Sequence, residues 1–341
     1  MTTGPADTPT PAQPAQANAA TVEVDPTTRR MSPGQRAIQI IGLLVGIALM
    51  VWAMRLALGG DNANALNNLR NASPTLAVAL IGLSLLSLLL DALVFWITLA
   101  PRRKLPLGET LATNSIAVFL SILPFKLGMI IRSAIHVRRH KVELKSLLSW
   151  FITFGGVTMA AIAACAGAAL IASRMWKEPT LAAMLAIAFG LLVLAWLAIV
   201  AVGQLATRSS IKALRMLTLG TADLIAHPGT IAAGLALRAL DVATFAARFA
   251  IAAAILGVSM TVAQSAQLGS VYLVLNAGAP AGALGFAEAG TAGAGKLIGL
   301  GLSDVAALAL LTTAVRLATA GICAAAAWIW LRPDRLLRKS A

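Results

Sequence analysis

Residues 276–290 read Asn-Ala-Gly-Ala-Pro-Ala-Gly-Ala-Leu-Gly-Phe-Ala-Glu-Ala-Gly, and they interrupt an otherwise apolar run over 262–302. Pro280 removes a backbone donor, and eight glycines fall between Gly278 and Gly301, each costing about 1 kcal/mol in a helix interior. A lipid-facing helix does not carry such a composition. A broken or re-entrant hairpin does, because irregular backbone is tolerated at membrane depth where protein covers it or where it lines a wet cavity. Glu288 adds a charge to the break. A carboxylate at that depth takes a partner or faces water, and the sequence offers Lys296, eight residues on, and Arg316 in the last apolar segment. Two readings stay open: an ion pair that locks the hairpin, or a carboxylate that lines a headgroup or proton pathway.

The rest of the chain identifies the solvent. Of 341 residues, 59% are hydrophobic and 12% charged, against about 25% charged in soluble domains, and the mean hydropathy is +0.84. The fold expected is all-α, a polytopic membrane helical bundle. The net charge of +14 does not point to nucleic acid, since the basic residues sit in short connections without interleaved aromatics; membrane lipids are the expected partners. Cys165 and Cys323 lie inside apolar runs, and with three scattered histidines they give no metal-ligand spacing. Neither disulfide, metal nor cofactor is expected. Residues 1–34, rich in Pro, Thr, Ala and Gln, read as a disordered tail, 35–335 as the membrane domain and 336–341 as a basic C-terminal tail.

Apolar runs long enough to span about 30 Å of hydrocarbon occur at 37–58, 75–100, 147–172, 180–203, 229–256 and 304–331. Two more are short or interrupted: 109–123, which ends at Pro124, and 262–302. The distribution of basic residues tests whether these two cross. If neither makes a net crossing, only Arg55, Arg70, Arg174 and Lys177 lie outside, while Arg238, Arg248, Lys296 and Arg316 lie within apolar segments; the other 19 of the 27 Lys and Arg lie inside. A single extra crossing destroys this bias. The positive-inside rule therefore places both termini in the cytoplasm of a bacterial plasma (inner) membrane. The two breaks then enter from opposite sides, as in an inverted repeat with facing half-helix hairpins; for 262–302 the charge distribution fixes parity alone, so one re-entrant hairpin and two thin full crossings both satisfy it.

Candidate binding groups cluster at three places. Around the first break, Asn114, Lys126, Gly128 and Arg132 flank Pro124, and Arg132, His136 and His140 recur at i, i+4, i+8 on one helical face. That face suits a lipid phosphate; a solvated basic loop is the plainer reading for His136, Arg138, Arg139 and His140. On the fifth crossing, Arg238, Asp241 and Arg248 project within roughly an 80° arc. They suit either a cavity for an anionic headgroup or simple interhelical pairing. At the second break stand Asn276, Gly282, Gly285 and Glu288, with Arg316 beyond. Asp91 is solitary and has no assignable partner. No Ser-His-Asp or Cys-His set, phosphate loop or paired carboxylates at one locus points to an enzyme.

The stretch from Asn114 to Arg132 resembles an N…P-cation-G…R element, and 281–288 resembles a PGGLGxxE element, of the lysylphosphatidylglycerol synthase transmembrane region, also described as flippase-like; the family arginine on the following helix falls on Arg316. The resemblance spans about 36–331. The chain departs from it at Ala281 and Ala283, where the family has proline and glycine, at Met129, where an acidic residue is common, and over 147–156, where a Glu-Arg pair is absent. The resemblance implies a membrane module that moves lipids between leaflets, without the C-terminal aminoacylating domain of longer members, and one subgroup accompanies hopanoid biosynthesis. The expected function is a lipid flippase or transporter for an anionic, polyprenyl or hopanoid-type lipid. The alternative is a non-transporting scaffold for lipid-biosynthesis enzymes.

Overall fold

The structure, a computed structural model, describes residues 33–59, 63–101, 103–121, 127–208, 221, 225, 227–278 and 285–333. The basic tail at 336–341 and nearly all of the tail assigned to 1–34 lie outside these residues, as do Pro124, Lys126, Pro280 and Gly282. Among the described residues the chain forms eleven helices and no strand. These are α1 (Pro33–Leu58), α2 (Ala63–Arg70), α3 (Pro74–Leu99), α4 (Leu107–Leu120), α5 (Leu127–His140), α6 (Leu144–Met175), α7 (Leu181–Arg208), α8 (Pro228–Leu256), α9 (Val262–Gly278), α10 (Phe286–Leu297) and α11 (Leu302–Leu331).

Six of them, α1, α3, α6, α7, α8 and α11, are long and apolar enough to cross a membrane. They coincide with the six apolar runs, so the protein is an all-α membrane bundle. Prolines set their entries: Pro74 and Pro228 occupy the first turns of α3 and α8, where a missing N–H costs nothing. Gly257, at φ 74°, ends α8 in the left-handed conformation, and Asn68 of α2 donates to the Leu256 carbonyl at 3.1 Å.

The two interrupted segments become helix pairs. With 14 residues each in α4 and α5, 17 in α9 and 12 in α10, their lengths run from about 18 to 26 Å at 1.5 Å per residue, short of the hydrocarbon thickness. The α4/α5 pair closes through Gly128. A Cβ there would collide with the Ala117 carbonyl of α4, so only glycine permits this approach. Gly285 plays the same part at the second break. Its φ is 82° and its Cα faces the Gly46 carbonyl of α1, which fits α10 against the first helix.

Burial grades the bundle from centre to edge. The apolar window of α8 is 56% buried and that of α7 is 0% buried, so α8 is the central post and α7 lies at the lipid-facing margin. Phe189 of α7, 70% exposed, has the surface expected toward acyl chains. Around α8 the core joins Phe245 and Phe249 to Leu80 of α3, Ile162 of α6, Leu268 and Tyr272 of α9, and Leu308 of α11. A second aromatic cluster, Phe95, Leu147 and Trp150, locks α3 to α6, with Trp150 Nε1 donating to Thr98 Oγ1 at 2.8 Å.

Candidate functional site

Helices α3, α4, α5, α6, α8, α9 and α11 enclose a cavity of about 420 Å³, within the range of small-ligand sites. Most of its wall is apolar, including Phe95, Phe151, Phe154 and Phe245. Its polar groups are concentrated in one constellation: Asp91 of α3, Arg132 of α5, Arg238 and Asp241 of α8, and Arg316 of α11, with Asn276 at the end of α9.

The constellation is built on Asp91. Arg238 Nη2 donates to Asp91 Oδ1 at 2.8 Å, and Arg238 Nη1 donates to Asp241 Oδ2 at 2.7 Å. Ser87, one helical turn before Asp91, donates to Asp241 Oδ1 at 2.7 Å. Arg132 stands 3.9 Å from Asp91 Oδ2, donates to Asn114 Oδ1 and lies over the Phe95 ring at 3.6 Å. Asn114 is held in turn, its Nδ2 donating to the Leu88 carbonyl at 3.1 Å. Every one of these bonds joins polar groups in surroundings where a lone charge costs several kcal/mol, so the network fixes the polar face of the cavity.

Three arginines meet two aspartates on that wall, leaving one positive charge. Arg316 carries it: among the described residues it makes no ion pair or hydrogen bond, and its guanidinium rests 5.8 Å from the Phe245 ring centroid. A partly exposed guanidinium facing a mostly apolar cavity presents a planar donor fork, the geometry that pairs with phosphate or carboxylate in bidentate fashion.

The second break is organised differently from either pairing the sequence offered. Glu288 is 1% exposed, but Lys296 is exposed on the far end of α10 and Arg316 turns toward the cavity. Glu288 instead accepts from Thr313 Oγ1 of α11 at 2.5 Å and from its own Gly285 N–H at 2.7 Å, and Thr313 exchanges a hydrogen bond with Tyr272 at 2.8 Å. A carboxylate at N3 that reaches back to the N-cap amide is the capping-box arrangement. It anchors α10 to α11.

On α5 the i, i+4, i+8 face is buried: Arg132 is 8%, His136 1% and His140 8% exposed. This replaces the solvated-loop reading for the two histidines, whereas Arg138 and Arg139 are exposed as that reading has them. The amphipathic α5 turns its histidines toward Trp150 of α6, whose ring meets His136 edge-on at 5.8 Å.

Of the sequence candidates, then, Gly128, Arg132, Arg238, Asp241, Asn276 and Arg316 line one cavity, Asn114 backs Arg132, and Arg248, Gly285 and Glu288 lie off its wall. Lys126 and Gly282 fall outside the described residues. Asp91, for which the sequence offered no partner, is the hub. Its only signal was its charge at membrane depth, because the arginine that answers it is 147 residues away.

The family model for the lysylphosphatidylglycerol synthase TM region matches residues 39–324. No curated protein and no solved structure matches the chain.

Proposed function

Because the chain belongs to the lysylphosphatidylglycerol synthase transmembrane-region family, a lipid-related family of membrane proteins, we propose that it is a lipid transporter that carries a phosphate-bearing headgroup through the arginine-lined cavity from one leaflet to the other. One observation carries the reading. Among the described residues the wall holds a single uncompensated cation, Arg316, beside a polar network whose other charges are already paired. A site arranged in this way attracts one anionic group and offers apolar wall to whatever is attached to it.

The aromatic wall of Phe151, Phe154 and Phe245 suits the glycerol or ring portion next to the phosphate, and the lipid chains remain in the bilayer beside the bundle. Among the described residues, every ionisable group at the cavity except Arg316 is committed to an ion pair, which favours transport over chemistry on the lipid. The charge distribution supports an inner-membrane orientation with both termini in the cytoplasm, so that α5 stands at the cytoplasmic end of the path. In this orientation the α4/α5 and α9/α10 pairs are the moving parts that expose the cavity alternately.

The test is the lipid that comes with the protein. Mass spectrometry of lipids retained on purification should show one phosphate-bearing class enriched over the host membrane, with the enrichment lost in Arg316→Ala. Equal lipid profiles for the two proteins would remove the headgroup assignment. Retained biosynthetic enzymes with no enriched lipid would point instead to a scaffold.

A further inference from the structure

Behind the cavity wall lies a second cation that the headgroup site does not use. Arg248 of α8 is 0% exposed and does not line the cavity. Its guanidinium lies over the Phe245 ring at 4.7 Å, and Phe245 is part of the cavity wall. One of its nitrogens is anchored, Nη2 donating to the Thr312 carbonyl of α11 at 2.7 Å. The other two, Nε and Nη1, are fully buried donors with no hydrogen-bond partner among the described residues, and the Thr312 hydroxyl likewise has none there.

No carboxylate pairs with Arg248 among the described residues. Asp241 is taken up by Arg238 and Ser87, and Glu288 by Thr313 and Gly285. Arg316, a charge of the same sign, rests over the same Phe245 ring at 5.8 Å. A guanidinium withdrawn from water costs several kcal/mol unless a counter-charge answers it, and a contact with an aromatic ring returns only about 2 kcal/mol of that. The orphaned groups are all donors or can donate, and they belong to one guanidinium and the residue that anchors it. Nε and Nη1 point along different edges of the guanidinium, so one acceptor engages one of them with the Thr312 hydroxyl, and a negative charge on that acceptor answers the guanidinium as a whole.

We propose that Arg248 and Thr312 form a buried site for one small monovalent inorganic anion of halide size, between α8 and α11 and separated from the headgroup cavity by Phe245. Complete burial selects against a phosphate ester, which needs open access for its substituent. The bound anion neutralises Arg248 and ties the central helix α8 to α11, the helix that carries Arg316. This site does not depend on which lipid, if any, the cavity takes.

The experiment measures thermal unfolding of the full chain in detergent while chloride or bromide replaces gluconate at constant ionic strength. The wild type should show a saturable rise in Tm, with bromide substituting for chloride. Arg248→Gln should lose the rise. Thr312→Val, which keeps the shape and the backbone anchor, should retain the fold and bind halide about tenfold more weakly, the loss expected of one hydrogen bond to a charged group. Arg316→Ala should keep the halide response while losing the lipid enrichment described above, which separates failure of one site from failure of the other. A wild-type Tm indifferent to halide would overturn the proposal. So would a response unchanged in Thr312→Val, or an Arg248-dependent response to phosphatidylglycerol micelles but not to halide.

Discussion

Asp91 of α3 and Arg238 of α8 meet at 2.8 Å across the most extensive helix pairing in the bundle, and Asp91 is also the nearest acid to Arg132, at 3.9 Å. One carboxylate thereby holds α3, α5 and α8 to a common point on the cavity wall. Arg238 spans two acids, Arg132 leans on one, and removal of Asp91 leaves both guanidinium groups short of charge.

Asp91→Asn is therefore expected to destabilise the protein by about 3–5 kcal/mol, the cost of breaking a buried ion pair from one side. Combining it with Arg238→Gln should cost less than the sum of the single changes, because the second substitution removes the stranded charge. Denaturant unfolding of the four proteins in micelles measures the coupling. Additive losses would show that the two side chains do not share a network.

Gly128→Ala tests the closing of the α4/α5 pair. The added methyl meets the Ala117 carbonyl, which belongs to backbone and cannot swing aside, so a loss of about 1–3 kcal/mol is expected from overpacking. Proteolysis between α4 and α5 should accelerate in step, whereas cleavage rates elsewhere stay as in the wild type.

The end of that pair away from Gly128 carries a pH dependence with a defined sign. Arg139 donates to both Glu109 oxygens, at 2.7 and 2.8 Å, and these hydrogen bonds hold the Glu109 carboxyl below its ordinary value of 4.5. The stabilisation is present in full above that ordinary value and is lost as pH falls through the lower folded value. Both side chains are partly exposed, so its size is no more than about 1 kcal/mol. Glu109→Gln should flatten this part of the acid limb of a stability profile and leave stability differences between pH 6 and 8 unchanged.

Orientation can be read by labelling. In a cysteine-free background, a single cysteine at Arg70 should react with a membrane-impermeant maleimide in intact cells, and one at Lys141 only after the membrane is opened. The reverse pattern would invert the topology assigned from basic residues.

The six crossings were legible because each is a long apolar run, and the two breaks because proline and glycine are costly in a helix interior. That Arg238 and Asp241 share one face of their helix was legible too, since i, i+3 spacing is local. Partners far along the chain were not. Asp91 could be answered only from α8, and Glu288 was matched with the charged groups Lys296 and Arg316 when its partner is the uncharged Thr313, a residue type that leaves no mark in a search for opposite charge. The stripe from Arg238 to Arg248 shows a third limit. Ten residues of helix advance about 15 Å, so two arginines on one face stand at different depths, one in the cavity wall and one behind Phe245.

Lipid movement itself reports whether the cavity carries a headgroup on Arg316. Wild type and Arg316→Ala, reconstituted at equal density in liposomes with a fluorescent phosphatidylglycerol, are compared for the rate at which the label becomes accessible from outside. Protein-dependent movement is expected in the wild type, with a loss of at least about tenfold in Arg316→Ala, the effect of one charge-assisted hydrogen bond, and partial recovery in Arg316→Lys. Equal rates for wild type and Arg316→Ala, at matched folding, would contradict a headgroup carried on Arg316.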